Sequence, residues 1–124
     1  MYSALDIARE DKRGRQLAMI RNWHFFGAPH VVFFIMDKYL DIMGGVDLGI
    51  YAQTLSLILT EHGLSICMQG ALGQFPDPVK NALNLPEQRG ILFGISFGYA
   101  NEKALGNNTR KDRKEIENAV AFFS

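Results

Sequence analysis

Residues 47–71, DLGIYAQTLSLILTEHGLSICMQGA, decide how this chain is read. Apolar residues sit on nearly every side of a helical projection here: Leu48, Ile50, Tyr51, Ala52, Leu55, Leu57, Ile58 and Leu59. A helix apolar all round belongs at the centre of a fold, not at its edge. Asp47 suits its first turn and Gly63 the left-handed position just past its end, so the pattern predicts a helix over residues 47–62. Residues 65–68 then read as a short strand and residues 69–74, with two glycines, as a loop.

Outward from this helix, residues 31–36 (VVFFIM) form a continuous β-branched and aromatic run bounded by Pro29 and Asp37. Such a run predicts a strand buried on both faces. Residues 90–99 (GILFGISFGY) predict a second central strand, in which Gly94 and Gly98 imply close approach by a helix or a ligand. Gly44-Gly45 reads as a turn, and residues 76–85 as a short helix opened by prolines and closed before Pro86. Residues 2–21 suggest one or two helical pieces with Gly14 as the weak point. Residues 111–123 read as a terminal amphipathic helix with Ile116, Val120 and Phe123 in its stripe. Strands and helices around a buried helix give an α+β or α/β fold.

The chain has 124 residues, of which 48% are hydrophobic, enough for one core and incompatible with wholesale disorder. Thirteen basic residues balance thirteen acidic ones, so no nucleic-acid or membrane partner is expected. Between residues 23 and 100 the only cations are Lys38, Lys80 and Arg89, which marks the middle as core. Cys67 is the only cysteine, excluding an intrachain disulfide and fitting a reducing cytoplasm. His24, His30 and His62 show no metal-ligand spacing, so no metal site is expected. No apolar stretch approaches membrane-spanning length in this reading, and no signal-peptide pattern opens the chain.

Three segments could carry chemistry. Gln69-Gly70-Ala71 follows a strand, and a glycine there lets a main chain approach a flat ring closely. Read alone, its glycine content is better explained as a strand-to-helix turn. Arg110 and Arg113, with Asn107 and Asn108 upstream, could meet a phosphate through their guanidinium groups; read alone, they are a solvated basic turn. His30, in Phe25-Phe26-Gly27-Ala28-Pro29-His30, is the lone histidine best placed for a polar role, although a hydrogen-bonded structural histidine satisfies the pattern. Cys67 reads as a small hydrophobe. No nucleophile-base pair or carboxylate dyad stands out, so no catalytic side chain is named.

Together these pieces are more specific than any one of them. Phe25-Phe26-Gly27-Ala28-Pro29-His30 before a strand, Asp47-x-Gly49-x3-Gln53 opening the central helix, Gly63-Leu64, and Gly94-Ile95-Ser96-Phe97-Gly98-Tyr99 before Asn107-x2-Arg110-x2-Arg113 occur in that order. This arrangement resembles the nitroreductase family of FMN-dependent NAD(P)H oxidoreductases, in its C-terminal portion. The resemblance implies an α+β nitroreductase-like sandwich over residues 1–124 as a single domain, truncated at the N-terminus. It implies a mixed sheet packed with helices around a buried central helix, and a homodimer or larger homo-oligomer. It also implies FMN, with Gln69, Gly70 and Ala71 facing N5 and O4 of the ring and Arg113, with Arg110, at the phosphate. NAD(P)H would be the electron donor, and a nitroaromatic, quinone or similar small molecule the acceptor. The arginine motif that opens family members is not among these residues, which leaves a second expectation: a non-catalytic dimerisation module that has lost the flavin.

Overall fold

The computed structural model describes residues 5–108 and 112–123. Three strands form one sheet: β1 (His30–Asp37), β2 (Ser65–Gln69) and β3 (Arg89–Gly98), in the order β1-β3-β2. Both ladders are antiparallel. The expected mixed sheet is therefore wholly antiparallel among the described residues. β1 and β2 run in the same direction, as two strands joined through a helix do, but β3 lies between them and opposes both. Its central place makes β3 the most buried strand, with Ile91, Gly94, Ile95, Ser96 and Gly98 enclosed. On β1 only Phe34 is fully buried, because β1 is an edge and not a central strand. A register shift between Phe34 and Ile35 marks a bulge.

The long helix α2 spans Asp41–Glu61 and lies across the sheet. It begins six residues earlier than the sequence pattern indicates, since Gly44 and Gly45 are helical. Gly44 is buried where a Cβ would stand 2.7 Å from the Leu40 Cβ and 3.0 Å from the Met36 sulfur, so the glycine serves a close approach and not a turn. Ala52 and Ser56 face the sheet with Leu48 and Leu55, closing a core around Phe34 and Ile95. Phe34 stacks on Phe93 at 4.5 Å between ring centroids and meets Tyr51 edge-on at 5.9 Å. The buried Ser56 hydroxyl donates to the Ala52 carbonyl at 2.7 Å, so its burial costs little.

Among the described residues, only one side of α2 is covered. Ile42, Met43, Ile50 and Leu57 on the other side are exposed, so the helix is central to the sheet's packing but half-buried. Its extension changes a second expectation: Lys38–Glu61 is long and apolar enough to cross a membrane by length and composition. The helix ends with Gly63 at φ 74°, where Leu64 N–H reaches the Leu59 carbonyl and Gly63 N–H that of Thr60, both at 2.9 Å.

Helix α1 covers Lys12–Ile20, capped by the Asp11 carboxylate accepting from Gly14 N–H at 2.8 Å. Gly14 is thus no weak point; its missing Cβ leaves room for the capping carboxylate. Two short helices, α3 (Ala71–Gln74) and α4 (Asp77–Ala82), join β2 to β3. The expected terminal helix is reduced to a single 3-10 turn, Ile116–Asn118, among the described residues. Ile116, Val120 and Phe123 are exposed, and a helix of that length without a surface to pack on is marginal in water.

Candidate functional site

At the end of β2 the chain turns through Gln69, Gly70 and Ala71 into α3. Gln69 pairs with Gly94 of β3 and is only 1% exposed. Its side chain points inward, where Nε2 donates to the main-chain carbonyl of Asn22 at 2.8 Å. That bond identifies the amide nitrogen, because a carbonyl can only accept, and so fixes which way Oε1 points. Oε1 is buried without a donor among the described residues. Gly70 is exposed in helical conformation, and among the described residues a Cβ there would meet nothing within 4 Å. One side of the turn is therefore open. Ala71 is half-buried and starts α3.

The rest of the turn is seated tightly. Leu72 is fully enclosed, and its Cδ1 occupies the space where a Cβ on Gly94 would stand, 2.7 Å away. The close approach expected at Gly94 is thus made by a leucine of the chain itself, and that at Gly98 by Pro29. Gly73 rests on the main chain of Leu92 in β3, so tightly that any Cβ would collide with the Leu92 carbonyl.

Opposite the turn lies the segment before β1. Phe25, Phe26 and Gly27 all have positive φ, at 50°, 53° and 78°, a conformation that costs about 1 kcal/mol or more at each phenylalanine. Trp23 meets Phe75 edge-on at 5.8 Å, and the Arg21 guanidinium lies 5.8 Å from the Phe26 ring. Nothing local in the sequence pairs Asn22 with Gln69 or Trp23 with Phe75, which lie so far apart in the chain.

Of the other sequence candidates, Arg113 is exposed in the segment leading to the last 3-10 turn, and Arg110 lies outside the described residues. His30 is exposed at the start of β1 and stacks on Phe97 at 5.3 Å. Cys67 is exposed as a residue on the edge strand, yet partial burial of its thiol pushes its pKa up. A reactive thiolate needs the opposite shift.

The profile of the Nitroreductase family matches residues 2–99. The chain belongs to the nitroreductase family. The match includes the Gln69–Ala71 turn and ends before Arg113. Among curated nitroreductase relatives, nitroreductase NfnB of Mycolicibacterium smegmatis is 38% identical over 122 residues, covering 98% of this chain and 52% of that protein. A 4-nitrobenzoate reductase of Pseudomonas putida is 34% identical, covering 98% and 54%. The chain therefore spans about half the length of the curated relatives it matches. The crystal structure of the FMN-dependent nitroreductase NfnB from Mycobacterium smegmatis, in complex with NADPH, superposes with a TM-score of 0.94 at 37% identity, covering 99% of this chain and 55% of that one. The α+β nitroreductase-like fold expected from sequence is the fold observed.

Proposed function

We propose that this chain serves in an FMN-dependent oxidoreductase that moves electrons from NADPH to a nitroaromatic or similar acceptor. The observation that carries the reading is the open side of Gly70 on an otherwise tightly seated turn. A flat ring can lie against main chain where no side chain stands, and the turn's geometry is set before anything binds. When bound, FMN supplies a carrier that accepts hydride at N5 and releases electrons to a second substrate. Gln69 keeps its side chain out of that space by bonding inward to Asn22. Arg113, together with Arg110, supplies charge for the phosphate in this reading.

The same reading assigns the uncovered apolar side of α2 to a second copy of the chain. Ile42, Ile50 and Leu57 are 75%, 64% and 63% exposed, a patch that a soluble monomer rarely keeps. A homodimer working in the cytoplasm, with residues 1–124 as one domain, satisfies both features. That apolar side also supports the second reading, a dimerisation module without flavin, since it needs only α2.

The test is retention of FMN after desalting, followed by NADPH oxidation with 4-nitrobenzoate as acceptor. Retained yellow colour that is lost in Gly70→Val, with folding unchanged, supports the oxidoreductase. A colourless wild-type dimer selects the module.

A further inference from the structure

Two consecutive residues hold the two ends of the turn that the functional reading assigns to FMN. Asn22 accepts from Gln69 at the turn's start, and Trp23 packs edge-on against Phe75 at its end. Between these points Leu72 and Gly73 are pressed against β3. The Asn22–Trp23 step is itself fixed from behind. Trp23 N–H donates to the Ile20 carbonyl at 2.9 Å, Asn22 Nδ2 to that of Met19 at 2.9 Å, and Phe26 N–H to that of Arg21 at 3.0 Å. The turn is thus held at both ends by one hydrogen-bonded segment and underneath by the sheet, while Gly70 stays exposed.

We infer that Asn22, Trp23, Gln69 and Phe75 form a clamp that positions the Gln69–Gly70 main chain for hydride transfer; this rests on the flavin reading above. Main-chain N–H groups stabilise developing charge only if they are aimed before the reaction, and their aim depends on the groups that support them. The Gln69 side chain acts here through the Asn22 carbonyl and not by touching the flavin. Asn22 contributes through its main chain, so its own side chain is largely dispensable for the tie. Its Oδ1 is 3.5 Å from Gln69 Nε2, at the limit of hydrogen bonding.

The experiment compares Gln69→Leu, Phe75→Ala and Trp23→Phe with wild type. Phe75 is largely exposed, so its removal keeps the fold if Gln69→Leu does not. Hydrogen exchange of the 70–74 amides, measured without flavin, is expected to accelerate about tenfold in Gln69→Leu and Phe75→Ala and to stay near wild type in Trp23→Phe. With FMN bound, the rate of flavin reduction by NADPH is expected to fall about ten- to a hundredfold in the first two variants. KM for NADPH should be little changed, and the FMN midpoint potential should shift negative. Exchange that stays at the wild-type rate in both variants overturns the clamp, as does a fall in reduction explained entirely by lost FMN. A wild-type chain that never binds FMN defeats the functional reading instead. The exchange arm, which needs no flavin, tells the two failures apart.

Discussion

Gly73 lies directly on Leu92: a Cβ at Gly73 would collide with the Leu92 carbonyl and stand 3.1 Å from that of Ile91. This contact decides where the turn after β2 sits. Main-chain atoms of a central strand cannot give way as the end of a flexible side chain can, so the height of α3 over β3 is set by the absence of one methyl group. Gly70, three residues earlier, has the opposite surroundings.

Gly73→Ala is expected to destabilise the fold by about 2 kcal/mol or more, since the methyl has no room and the strand beneath is pinned by two ladders. Gly70→Ala should change stability by about 0.5 kcal/mol or less, because its φ of −61° suits any residue and nothing is near. Urea unfolding of both variants measures the contrast. Gly70→Ala should nonetheless weaken FMN retention.

At the C-terminal end of α2, Gly63→Ala is expected to cost about 1 kcal/mol from left-handed strain alone, with Gly63→Asn closer to wild type. No neighbour lies within 4 Å of the added Cβ, so thermal unfolding of the two variants isolates the backbone effect from packing.

Ile50→Asp and Leu57→Asp place charge on the uncovered side of α2. Each is expected to weaken self-association by at least about tenfold, read by sedimentation equilibrium. Far-ultraviolet circular dichroism of the variants should match wild type, because neither side chain is part of the core beneath the helix.

Cys67 gives a pH dependence of defined sign. Partial burial raises its thiol pKa above the ordinary 9.0, so the folded chain holds the proton more tightly than the unfolded chain. The stability this contributes is complete below the unfolded pKa and is lost as pH rises through the folded one. Wild type should therefore lose more stability than Cys67→Ser between about pH 8 and about pH 11. Alkylation by iodoacetamide at about pH 8.5 should be slower than for free cysteine.

Much of the fold was legible because its signals are local. The apolar runs that became β1 and β3, the Gly63 helix end and the proline-bounded helix before β3 each reflect a preference acting over a few residues. The boundaries that moved did so for non-local reasons. Gly44 and Gly45 look like a turn until Leu40 and Met36 are seen crowding Gly44. Residues 111–123 look like a helix, but amphipathic periodicity forms one only where a surface receives its stripe. At the candidate site, motif order in the chain points to Gln69, Gly70 and Ala71, whereas no local pattern points to their contacts with Asn22 and Trp23. Order alone does not say where the Gln69 side chain points; in the fold it turns inward to Asn22.

Family and element order were readable from the chain alone, because motif order and hydrophobic periodicity are local properties. That β3 separates β1 from β2, that α2 keeps one apolar side uncovered among the described residues, and that Asn22 and Trp23 contact both ends of the turn around Gly70 emerged only on folding. Those outcomes depend on which distant surfaces meet. A hydrogen bond spanning 47 residues leaves no periodicity to read.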